Sequence, residues 1–114
     1  MREALRDPGR LEHILTAIDN VMSFVKGKTI ADLKKDKILW FGTVKCVEIV
    51  GEASYMLSQA FKENHPETPW KDVIAFRHAM VHGYYNMDVT EIWNVIQNDL
   101  PLLREQVAGY LKEY

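Results

Sequence analysis

A chain of 114 residues with 47% apolar and 26% charged residues suits one compact domain and excludes a disordered or fibrous chain. Its formal net charge of −2 gives no global attraction for polyanions, so any nucleic-acid contact must come from a local basic patch. Cys46 is the only cysteine, which rules out an intrachain disulfide and a cysteine-built zinc cage; with no apolar signal core in MREALRDPGR and no stretch of roughly 18 apolar residues, a cytoplasmic protein without membrane contact is expected.

Asp7, Pro8 and Gly9 read as a helix start, and Leu11, Ile14, Leu15, Ile18, Val21, Met22 and Val25 follow at spacings of three and four, which predicts a first helix over about 8–26 with Gly27 as its stop. Residues 29–37 are polar and fit a turn or short helix. Lys26, Lys28, Lys34, Lys35 and Lys37 against Asp32 and Asp36 make this region the densest basic segment, although such runs are usually solvated surface. Over 38–63 two apolar stripes run side by side: Trp40, Val44, Val47, Val50, Leu57, Phe61 and Phe41, Cys46, Ile49, Ala53, Met56, Ala60. One small core does not need so wide a stripe. It predicts a central helix burying one face within the domain and the adjacent one against a partner, with Gly42 and Gly51 allowing close approach.

Asn64, His65, Pro66 and Pro69 break the chain, and Trp70, Val73, Ile74 and Phe76 restart the helical period toward Gly83, a residue suited to a helix C-terminus. Asp88 or Thr90 then caps a last helix with Ile92, Trp93, Val95, Ile96, Leu100, Leu103, Val107 and Leu111 inward, kinked or divided by Pro101. Nothing alternates like a strand. The expected fold is all-α: an antiparallel up-and-down bundle of four main helices plus short ones.

The stretch RHAMVHGYY concentrates Arg77, His78, His82, Tyr84 and Tyr85 at the end of one predicted helix. Three readings compete. His78 and His82 lie about 40° apart on a helix, as two metal ligands would, but no glutamate stands where a zinc protease needs its base and no third ligand is near. Alternatively, Arg77 and His82 are positive charges in a last turn, where the helix dipole favours them. Finally, a histidine titrating near 6.5 can move the proton of a ribose 2′-hydroxyl or a leaving 5′-oxygen, worth roughly 10²- to 10⁴-fold, while an arginine fork stabilises the phosphate. Residues five apart on a helix point about 140° away from each other. A site built from both needs a distorted helix end, a swung Arg side chain, or a second chain.

Arg77-x4-His82-x-Tyr84 resembles the signature of the HepT-like branch of the HEPN ribonucleases, the toxin halves of prokaryotic HEPN/MNT toxin–antitoxin systems. RDPGRLEHIL, VEIVGEA, HPETPWKDVIAFRHAMVHGYYNMD and IWNVIQNDLPLL are similar to that family in the same order, so the likeness covers most of the chain. The resemblance implies a single HEPN domain over 1–114 and a homodimer whose two Arg-His motifs meet in one cleft. It also implies cleavage of RNA without metal or other cofactor. By position, Arg77 and His82 are then the catalytic pair, and Tyr84 is the tyrosine that an MNT-type nucleotidyltransferase antitoxin modifies with AMP. His78 stands where many relatives carry Asn, in a supporting position. Glu52 of the GEA block is either the residue that orients Arg77 or a capping or exposed carboxylate. HEPN domains also occur as non-catalytic nucleotide-binding or scaffolding modules; the presence of both Arg77 and His82 favours the enzyme.

Overall fold

The computed structural model describes the backbone of residues 2–83 and 88–114 and the side chains of 7–77 and 88–114. Every regular element among them is helical: α1 (Arg2–Val25), α2 (Ile30–Lys35), α3 (Lys37–Met56), α4 (Gln59–Asn64), α5 (Trp70–Gly83), α6 (Val89–Asn94), a π-helical turn (Val95–Asp99) and α7 (Leu100–Leu111). The long runs are α1, α3, α5 and the continuous α6–π–α7 segment, so the all-α bundle with four main helical runs is the observed architecture. α3 packs on α1 and α5, and α1 packs on α7.

The core follows the apolar periodicity. Leu11, Ile14, Ile18 and Val21 of α1, Val47 and Val50 of α3, and Leu100 and Val107 of α7 are fully buried; each such side chain contributes about 1.5–3 kcal/mol of transfer free energy. Gly27 stops α1 with φ +73°, a left-handed conformation that suits glycine, and Lys28 N–H donates to the Val25 carbonyl at 2.9 Å. The five lysines of the basic segment are exposed. Its two aspartates act as caps: Thr29 and Asp32 form a capping box at α2, and Asp36 Oδ1 accepts from Leu39 N–H at 3.1 Å at the start of α3. The main-chain and hydroxyl donors of Thr29 hold the Asp32 carboxyl below its usual value.

Three expectations need correction. The first helix begins at Arg2 and carries Pro8 inside it. Asp7, read as part of a start signal, instead reaches across the fold: its carboxylate accepts from Ser58 N–H at 2.8 Å and Ser58 Oγ–H at 2.7 Å. That contact belongs to the second correction, because the expected central helix over 38–63 is two helices. Leu57 is extended (φ −61°, ψ 147°), and Ser58 caps α4 by accepting from Phe61 N–H at 3.1 Å. The third concerns the second apolar stripe, which the chain partly absorbs: Cys46 and Ala53 are buried, and burial raises the Cys46 thiol pKa. Phe41 stays half-exposed, one turn from the outward Ile38, and Tyr55 is half-exposed at the other end of the same helix.

At the other end, Asp88 caps α6, accepting from Thr90 N–H at 2.9 Å. Pro101 divides the last run as expected: ahead of it the helix widens, and Leu100 N–H donates to the Val95 carbonyl five residues back.

Candidate active site

The site is assembled where α3 and α5 pack against each other. Gly51 faces the main chain of α5, and a Cβ placed on it would lie 2.9 Å from both Cα and Cβ of Arg77. The two helices therefore meet at glycine-limited distance at this level. The close approach that Gly51 was expected to allow is made within the chain, by α5. Gly42, one of the same pair, faces the ring of Phe24, 3.5 Å from a built Cβ.

One residue beyond Gly51, Glu52 points along the outer side of this seam and pairs with Arg77 through Nε. Three residues further, the Tyr55 ring lies beneath the guanidinium, with Cζ 4.7 Å from its centroid. The spacing of three places Glu52 and Tyr55 on one face of α3, so a carboxylate and an aromatic ring grip the same cation from one helix. Both charged partners remain about half-exposed. A surface ion pair of this kind contributes little stability, roughly 0–1 kcal/mol. What the arrangement supplies is direction: a guanidinium with restricted freedom, open to solvent, presenting the fork that suits a phosphate.

A second cation joins from α4. Lys62 Nζ donates to the Tyr55 carbonyl at 3.3 Å and stands 5.9 Å from the same ring centroid. Burial holds its pKa below the ordinary lysine value, against the attraction of Asp7. The short α4 is itself fixed by the Asp7–Ser58 contact, so the placement of Lys62 traces back to the N-terminal helix.

Of the residues singled out by sequence, Arg77 and Glu52 are brought together, and Glu52 is about half-exposed. His78 and His82 lie on α5, which is α-helical from Trp70 to Gly83, and their side chains are outside the described residues, as is Tyr84 entirely. The backbone of α5 is α-helical through Gly83, so the main-chain positions of Arg77 and His82 lie about 140° apart around its axis. Sequence reasoning missed Tyr55 and Lys62. The Glu52-x2-Tyr55 spacing was a usable signal for the first; for the second there was none, since Lys62 depends on the break at Ser58.

Comparison with known proteins gives the chain a family. Residues 14–109 match the family described as Ribonuclease HepT-like. The chain is 35% identical over 103 residues, covering 90% of its length and 92% of the relative's, to a protein of Caldanaerobacter subterraneus subsp. tengcongensis named as a candidate RNase. It is 34% identical over 94 residues to a protein of Thermococcus cleftensis named as a candidate HepT ribonuclease, covering 82% of this chain and 86% of that one. A candidate RNase of Methanocaldococcus jannaschii is 28% identical over 97 residues, with 85% and 89% covered. No solved structure matches the chain. The matched segment contains the whole of α3 and α5 and every residue of the Arg77 seam, and the chain belongs to the HepT-like ribonuclease family.

Proposed function

We propose that the protein is a metal-independent endoribonuclease toxin that cleaves RNA by attack of the ribose 2′-hydroxyl on the adjacent phosphate. The observation that carries this reading is Arg77: a solvent-facing guanidinium held by Glu52 and Tyr55, five residues before His82 on the same helix. In the reaction, Arg77 binds the non-bridging phosphate oxygens and stabilises the charge that grows on them. His82 takes or gives the proton at the 2′-oxygen or the leaving 5′-oxygen. The bond from phosphorus to the 5′-oxygen breaks as the bond to the 2′-oxygen forms, giving a 2′,3′-cyclic phosphate and a free 5′-hydroxyl.

Because Arg77 and His82 stand about 140° apart on a regular helix, the working site is composite, formed where the 77–84 segments of two copies meet in a homodimer. The outward face of α3 supports this, since Ile38 is 86% exposed and Phe41 51% exposed, with Phe24 exposed beside Gly42. The antitoxin is an MNT-type nucleotidyltransferase that adds AMP to Tyr84, placing a phosphodiester anion where the RNA phosphate binds. His78 assists the pair.

The test is cleavage of purified RNA in EDTA. The expected result is cyclic-phosphate products from wild type and none from His82→Ala or Arg77→Ala. Mixed dimers of those two variants regain part of the activity. Loss of cleavage in EDTA, restored by Mg²⁺ or Zn²⁺, overturns the chemistry, and full activity from a monomer overturns the composite site.

A further inference from the structure

Tyr55 is out of place for a residue that merely packs. Its neighbours Ala53, Ser54 and Leu57 are buried, yet Tyr55 is 51% exposed at the last turn of α3. Two cations from two other helices converge on its ring, Arg77 from α5 at 4.7 Å and Lys62 from α4 at 5.9 Å. Among the described residues Arg77 is ion-paired with a carboxylate, Glu52, whereas Lys62 feels the charge of Asp7 without a contact ion pair. Lys62 is held by a main-chain carbonyl, which restricts its position without neutralising it.

A half-exposed aromatic ring with the Arg77 guanidinium over it and Lys62 Nζ 5.9 Å from its centroid matches the chemistry of one unpaired nucleotide, whose base would stack on the part of the ring that stays open. The base has a flat π-face and no partner strand, and each side of it carries a phosphate. We infer that Tyr55 is the stacking platform for an unpaired nucleobase next to the scissile phosphate, with Arg77 on the phosphate that reacts and Lys62 on its neighbour along the strand. The inference deepens the ribonuclease reading and rests on it for the identity of the substrate.

Three consequences follow from the geometry. The enzyme prefers single-stranded to duplex RNA, because a paired base cannot present its face to the ring. Sequence preference at that position is weak, since every base has a π-face. Finally, α4, which leaves α3 through the break at Leu57 and Ser58, acts as the arm that carries the second phosphate contact.

The probe is a series of single-stranded heptanucleotides with 2′-O-methyl riboses, which block the 2′-hydroxyl attack, each carrying 2-aminopurine at a different position. Binding is followed by anisotropy of an end label and stacking by quenching of 2-aminopurine emission. Wild type and Tyr55→Phe are expected to bind alike and to quench the same position. Tyr55→Leu binds roughly 5- to 150-fold more weakly and does not quench at saturation. Lys62→Met still quenches at saturation but binds with a salt dependence reduced by about 0.7 in the log–log slope, the share of one phosphate on a single strand. Wild-type binding and quenching retained in Tyr55→Leu overturns the platform, as does failure of wild type to bind or to quench at any position.

Cleavage of the unmodified RNA, scored separately, keeps the two readings apart. An enzyme that cuts RNA without quenching keeps the ribonuclease reading and loses the platform. A protein that binds and quenches but leaves RNA intact keeps the platform and loses the nuclease.

Discussion

Gly51 and Arg77 are in contact through the absence of a side chain: the main chain of α5 passes where a Cβ on Gly51 would sit, 2.9 Å from Arg77 Cα. Within a helix, Gly→Ala ordinarily gains up to about 1 kcal/mol from propensity. Here the obstacle is backbone, which cannot rotate away, and overpacking of this kind costs about 1–3 kcal/mol. The steric effect wins. Gly51→Ala is expected to lower stability and to displace Arg77, with cleavage falling further than stability alone accounts for. Gly109, in the last turn of α7 with nothing within 4 Å of a built Cβ, is the control; Gly109→Ala should stabilise the protein by up to about 1 kcal/mol. Urea midpoints and initial rates of RNA cleavage check both.

Glu52 separates stability from function. Its pair with Arg77 joins two half-exposed side chains, so Glu52→Gln should shift stability by less than about 1 kcal/mol. The same change frees the guanidinium to leave its direction, and misplacing a catalytic group by about 1 Å reduces rates by up to about 100-fold. The expected outcome is a lower kcat with an unchanged urea midpoint. Equal and small effects on both would mean that the carboxylate merely decorates the surface.

The periodicity of apolar residues was sufficient to find α1, α5 and the last run, because each buries one face and its stripe is written at intervals of three and four. The break at Ser58 was not legible. Its apolar pattern continues through Leu57 and Phe61, both buried, and the residue that helps fix the break, Asp7, lies 51 positions away. At Pro101 the sequence announced a division but not its form, a π turn that lets Leu100 N–H reach Val95. The site was half legible. Arg77 and Glu52 could be paired from a resemblance and a motif, but a glycine in a helix does not say which neighbour needs the space, and Lys62 meets Tyr55 across the break at Leu57 and Ser58.

His65 is expected to make the fold sensitive to pH. Its Nδ1 faces the Phe61 carbonyl at 2.8 Å and its Nε2 faces Glu113 Oε1 at 2.9 Å, so both ring nitrogens meet acceptors, while the ring stacks on Phe61 with the Tyr110 ring tilted against it. Burial opposes the charged ring, but the bonds to Phe61 and Glu113 and the charges of Glu113 and Glu67 outweigh it and raise the pKa. A raised folded-state pKa means that the stabilisation is complete below the unfolded value near 6.5 and is lost as pH rises through the folded value. Thermal midpoints should therefore fall across that window on going alkaline. Glu113→Gln should flatten the fall by removing the largest side-chain contribution to the raised pKa. A wild-type midpoint that does not change through the window, with His65→Gln behaving identically, would rule out this linkage.

The contact between Asp7 and Ser58 sets where α3 ends and α4 begins, and a double-mutant cycle can isolate it. Asp7 is nearly buried, and its carboxylate holds both the N–H and the hydroxyl of Ser58; that hydroxyl in turn caps Phe61 N–H. Asp7→Ala leaves a partly buried N–H without its acceptor, a loss of about 1–3 kcal/mol. Ser58→Ala loses the cap as well as one of the bonds to Asp7, about 1 kcal/mol for the cap alone. Since the two residues share a bond, the double variant should lose less than the two single losses together, with a coupling between about 0.5 and 3 kcal/mol. The effect should also reach the site. α4 carries Lys62 to the Tyr55 ring, so loosening its start should expose the 57–64 segment to protease and weaken RNA binding, while the Glu52–Arg77 pair, carried by α3 and α5, keeps its place. Asp7→Asn, which retains one acceptor, should fall between wild type and Asp7→Ala in every measurement. If the losses simply add, the break at Ser58 is fixed by local capping alone and α1 has no hold on the position of Lys62.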